Sequence, residues 1–172
     1  MEQSSTTPAS GWPTLGQRLD SARNYDEVFA VVRESVRRVL GKERVGLGLG
    51  LSELPAQIGA YWQVTGNIIV LNERLIRVLD ATEPQAQRTA YLYVVILHEY
   101  LHSLGFLDEG TDRRIVARVA AQALGEDHAA ARLARADLWE AFPQLRNAGT
   151  GDGQRVKIVR GFDSESTNRY IR

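Results

Sequence analysis

The sequence contains no cysteine, which excludes disulfides and thiolate metal sites and leaves histidines and carboxylates as metal ligands. Histidine is scarce as well, with three in 172 residues. Charge of one sign is not in excess: 21 basic residues face 21 acidic ones, so nothing global draws the chain to nucleic acid or an anionic membrane. Long apolar runs are missing too. The most apolar stretch, "AYLYVVIL", is far too short to cross a bilayer. The N-terminus "MEQSSTTPASGWP" has no basic segment followed by an apolar one, so no signal peptide is expected and a cytoplasmic location is the default. What remains is an ordinary globular composition, 44% apolar, in a chain long enough for one domain with a real core.

Residues 1–13, rich in Ser, Thr and Pro, read as a disordered tail. An amphipathic helix follows in "NYDEVFAVVRESVRRVLG". Asn24 and Glu27 stand at the spacing of a capping box, and Gly41 suits the position after the last turn. "RVGLGLGLSE" alternates Val or Leu with Gly and predicts a strand approached closely on its glycine side. "QIGAYWQVTGNIIVLN" reads as two strands joined by a tight turn at Thr65-Gly66-Asn67, with a short helical turn in "ERLIRVL". Pro84 and Gly105 bracket about twenty residues, a helical length rather than a strand length. Two amphipathic helices are expected in "TDRRIVARVAAQALG" and "DHAAARLARADLWEAF". Residues 147–172 read as a loosely attached tail in which only "RVKIV" suggests a strand, one that pairs with an exposed sheet edge and folds over the cleft. The domain proper spans 14–146.

Two of the three histidines sit in "ILHEYLHSLGFLDEG". On a helix His98 and His102 share a face with Cβ atoms roughly 5–6 Å apart, close enough to converge on one ion at about 2.0–2.1 Å. On a strand they would stand roughly 13 Å apart, and one ion could not bridge them. Glu99, about 100° round the helix from His98, flanks such an ion without ligating it and is placed to take a proton from a water. Zinc suits two imidazoles and no thiolate. Burying two imidazoles and a carboxylate without partners would cost several kcal/mol, which weighs against a chance match. For the third ligand, Gly105 can turn the chain back past the ion and present Asp108, six residues beyond His102. Glu109, Asp112 and His128 remain open as rivals. Tyr61, Tyr91 and Tyr100 each carry a phenol, although a tyrosine in an apolar helix is more often core.

"HEYLHSLGFLDEG" resembles the active-site helix of the zincin metallopeptidases. The resemblance implies an α+β fold in which an N-terminal helix and a small mixed sheet pack on a central active-site helix, followed by C-terminal helices. It implies that His98 and His102 bind Zn2+, that Glu99 is general base and acid, and that an edge strand, here Asn67–Leu71, holds an extended peptide or protein substrate. His98, Glu99, His102, Gly105 and Asp108 stand at the spacing of metzincins whose last ligand is Asp. The only methionine is Met1, so the methionine turn of that group is absent. Gluzincins instead take a glutamate from the following helix, which on this reading carries none before Glu126. The expected function is zinc-dependent peptide hydrolysis, the alternative a non-catalytic metal- or peptide-binding regulatory module. Nucleic-acid binding, suggested only by "RESVRR" and "TDRRIVAR", is not expected, because those arginines fall on the solvated faces of helices.

Overall fold

The computed structural model describes residues 11–160. The expected N-terminal tail therefore lies outside the described residues up to position 10, as does the C-terminal segment from 161. The fold is α+β. A short α1 (Leu15–Asp20) leads into α2 (Tyr25–Leu40), where Asn24 accepts the Glu27 N–H and Gly41 closes the helix at φ 65°. The capping box expected there is shifted by one residue, since Glu27 accepts from the Arg23 N–H and not from Asn24.

Then come β1 (Gly48–Ser52), β2 (Ala60–Gln63) and β3 (Ile68–Asn72), with α3 (Glu73–Thr82) directly after. The connection from β2 to β3 is a wider turn than expected, with Asn67 left-handed at φ 47° and its N–H bonded to the Val64 carbonyl. α4 (Gln85–Ser103) starts with Pro84 as its N-cap. α5 (Glu109–Leu124) and α6 (Ala129–Arg135) follow, then α7 (Leu138–Ala141), a 3-10 helix (Pro143–Asn147) and β4 (Lys157–Ile158). The second of the two expected C-terminal helices is thus broken. Ala136 is extended, and the Asp137 carboxylate accepts from the Trp139 and Glu140 amides to start a new helix.

The sheet is mixed, in the order β2-β3-β1-β4. β3 runs parallel to β1 and antiparallel to β2, and all five of its residues are buried. The segment read as the edge strand is therefore central, and the free edge belongs to β2. Sheet order depends on long-range pairing, and the edge-strand role that the resemblance implies for Asn67–Leu71 does not hold. β4 pairs antiparallel with β1, so it lies at the edge of the sheet opposite β2. The close approach at the glycines of β1 is real: a Cβ on Gly50 would stand 2.5 Å from Val156 Cγ1.

α4 is apolar on nearly every side because it is enclosed, touching β2 and β3 as well as α1, α2, α5 and α6. Tyr91, Tyr93, Ile96, Leu97, Tyr100 and Leu101 are all buried. Among the described residues no helix is long and apolar enough to cross a membrane.

One buried side chain organises the loop between β1 and β2. Asn72 donates to the carbonyls of Leu54, Pro55 and Ile58 and accepts from the amides of Leu54 and Arg74. These bonds fix the chain just before β2, beside α4. Asn72→Ala would leave several buried backbone groups without partners, so a loss of about 3 kcal/mol is expected. A fall in the urea midpoint of the variant reads it. An unchanged midpoint would mean that the loop finds other partners.

Candidate metal centre

α4 carries His98 and His102 on one face, and their rings meet edge to face with centroids 4.5 Å apart. The helix ends in a Schellman turn: the Gly105 N–H reaches the His102 carbonyl, the Phe106 N–H reaches the Leu101 carbonyl, and Gly105 is left-handed at φ 100°. The turn has a second effect. It brings the Phe106 carbonyl to 2.6 Å from His102 Nδ1. A carbonyl only accepts, so Nδ1 carries the proton and the Nε2 lone pair is left facing the site.

His98 is oriented in the same way by a different partner. Asp112, fully buried one turn into α5, places Oδ2 at 2.6 Å from His98 Nδ1. The carboxylate accepts the Nδ1 proton at a bent angle, so the Nε2 lone pair of His98 is also left facing the site. Burial works to lower the pKa of His98, but the Asp112 carboxylate, with Glu99 and Glu109 behind it, outweighs burial and raises it.

Both Nε2 atoms therefore converge, 3.0 Å apart. The Glu109 carboxylate completes a triangle with them, Oε1 at 3.2 Å from His102 Nε2 and Oε2 at 3.4 Å from His98 Nε2. Two ligands on a tetrahedral ion at about 2.0–2.1 Å stand about 3.3 Å from each other. The three separations match that spacing. Lone pairs and a carboxylate crowded together repel unless a cation lies between them, so this donor set fits a zinc ion. His98, His102 and Asp112 also form a cluster whose ligand atoms lie within 4.8 Å of one another. Asp112, however, meets His98 at Nδ1, the nitrogen turned away from His102. Its place is to orient the ring, the role a carboxylate commonly has behind a metal-bound histidine.

Asp108, expected as the third ligand, is not brought to the histidines; Glu109 and Asp112 are the carboxylates that approach them. α5 begins at Glu109, three residues earlier than Asp112, and Asp108 is its N-cap. The Asp108 carboxylate accepts the Thr111 N–H at 2.7 Å, and the Thr111 hydroxyl, together with that N–H, holds its pKa below the usual aspartate range. His128 is likewise engaged elsewhere. It is itself the N-cap of α6, where Asp127 was expected, and its Nε2 lies 3.1 Å from Asp20.

Glu99 faces the same point from the side, its Oε1 4.0 Å from His98 Nε2 and its side chain almost wholly buried. Burial raises its pKa above the usual glutamate value, against the opposing charges of His98 and His102 and the backbone N–H of Trp62. That N–H belongs to β2. The Asn72 N–H bonds the Gly59 carbonyl, so the ladder alternation turns the backbone groups of Ala60 and Trp62 away from β3, toward the free edge and α4. Glu99 and the open sheet edge thus share one wall of the site.

A cleft of about 760 Å³ opens beside the histidines, running from Gln57–Ala60 past His98 and Glu99 to Arg113, Leu133 and Trp139. Compared with protein-family models, curated proteins and solved structures, the chain matches none. What the site does is argued from its own side chains.

Proposed function

We propose that the protein is a zinc-dependent metallopeptidase of zincin type, with His98, His102 and Glu109 as ligands and Glu99 as general base. The observation that supports this best is the triangle of His98 Nε2, His102 Nε2 and the Glu109 carboxylate, with its 3.0, 3.2 and 3.4 Å sides. Zinc, when bound, lowers the pKa of a water toward about 7 and polarises the scissile carbonyl. Glu99, beside that point and raised in pKa by its burial, takes the proton from the attacking water and passes it to the leaving amine. Water adds across the amide bond, giving a carboxylic acid and an amine. The free edge of β2, with Ala60 N–H and C=O outward, supplies a place for an extended peptide to add as a strand. A glutamate from the helix after the paired histidines is the gluzincin arrangement, and the position of Glu109 at the start of α5 supports that reading.

Elemental analysis after zinc reconstitution is expected to give about one zinc per chain, the stoichiometry of a three-ligand catalytic site. Metal content near zero, or content unchanged in His98→Ala, would remove the basis of the reading.

A further inference from the structure

The cleft beside the metal centre has an apolar floor and two donors that nothing in the described residues uses. Tyr91 is buried and its hydroxyl has no hydrogen-bond partner. That hydroxyl lies at the β2 end of the cleft, where a Cβ on Gly59 would meet it at 3.3 Å. Arg113 lines the same cleft, is exposed, and has no ion-pair partner among the described residues. It stands one turn beyond Glu109 on α5, its backbone about 6 Å further along the helix axis. Arg114 lines the rim as well and bonds only Thr111 Oγ1. Val95, Leu133, Leu138 and Trp139 supply apolar surface between.

Direction follows from the sheet. A peptide pairing antiparallel with β2 runs opposite to it, so its C-terminal end points toward Ala60 and the cleft. Before Ala60 the backbone offers no further ladder. The Gly59 and Ile58 carbonyls are taken by Asn72, and Pro55 has no N–H. What lies C-terminal to the cut bond must therefore be held by side chains.

We infer that the cleft takes the free C-terminus of a peptide: a large apolar last residue fills the floor beside Tyr91 and Trp139, and its carboxylate pairs with Arg113. The substrates are then peptides with free C-termini, cut near that end. Only the cutting rests on the peptidase reading; the binding belongs to the metal-free chain as well.

Titration calorimetry at low salt on the metal-free protein tests it with three acetylated peptides. The first is alanyl-alanyl-phenylalanine with a free carboxylate. The second is its C-terminal amide, and the third is an amide with glutamate in place of the middle alanine. The free acid is expected to bind about tenfold tighter than its amide, as a charge-assisted contact to guanidinium warrants. Arg113→Gln should bring that ratio close to one, and Arg113→Lys should keep most of it. Equal binding of acid and amide, no binding of any of them, or glutamate amide matching the free acid each overturns the inference. A chain that holds zinc and cuts amides as fast as free acids sinks this inference alone. Selective binding of the free acid by a chain that never hydrolyses it sinks only the peptidase reading.

Discussion

Replacing Glu99 by Gln is expected to abolish peptide hydrolysis, lowering turnover by about a hundredfold to ten-thousandfold, while zinc content stays at the wild-type level. The separation of the two effects is the diagnostic part. Glu99 Oε1 stands 4.0 Å from His98 Nε2, beside the ligand triangle and not within it. Gln keeps the size of the side chain and an oxygen that can accept the Trp62 N–H, so the buried environment is preserved. It cannot take a proton. Turnover of a cleaved peptide by the zinc-loaded variant, with elemental analysis of the same sample, reads both quantities. Loss of zinc in Glu99→Gln would mean that this carboxylate is a ligand. Unchanged turnover would mean that the proton goes elsewhere.

Glu109→Ala is expected to weaken zinc binding by about a hundredfold or more, because it removes one of the three proposed protein ligands. Asp108→Ala, one residue away, should leave zinc affinity nearly unchanged and lower stability modestly through the lost N-cap of α5. Asp112→Asn falls between them. It keeps the shape behind His98 but removes the charge, and a ten- to hundredfold loss of affinity is the usual size of that effect. Competition with a chromophoric chelator measures all three. If Asp108→Ala causes the large loss and Glu109→Ala the small one, Asp108 and not Glu109 is the third ligand. The neighbouring positions make this comparison sharp, since both variants remove one carboxylate from the same turn.

The part of the site that was legible in the sequence is the part held on a single helix. His98, Glu99 and His102 relate to each other through helical spacing alone, and Pro84 and Gly105 mark where that helix stops. The third carboxylate depends on where the next helix starts. Reading α5 from about Asp112 left Asp108 and Glu109 in a loop, where either can turn toward an ion. A signal was present nonetheless. Asp is a favoured N-cap, and an acidic residue directly after it belongs in a first turn, which puts Glu109 and not Asp108 on the helix. Asp112 had a signal too. It lies one turn before Val116, on the stripe that Val116, Val119 and Ala120 bury, and an acidic residue on an apolar stripe needs a partner. The order of the sheet was not legible, because four short strands with apolar patterning can be arranged in several ways. The long α2 followed from periodicity and its caps, α4 from the Pro84 and Gly105 that bracket it, and the α+β class was what the resemblance implied.

The two histidines and Glu109 come from one continuous stretch of twelve residues, 98–109, folded as a helix end, a Schellman turn and a helix start. An ion held by them is a cross-link across a very short loop. Because closure entropy grows only with the logarithm of loop length, such a link removes somewhat less freedom from the unfolded chain than one between distant elements would. The stabilisation that zinc confers is therefore set by its affinity and its free concentration rather than by chain topology. The large core around Leu71, Leu92 and Ile96 owes nothing to the ion. On the proposed ligand set, chelation would act at the junction between α4 and α5 and leave the rest of the domain assembled, so that loading would be a local event on a scaffold already built.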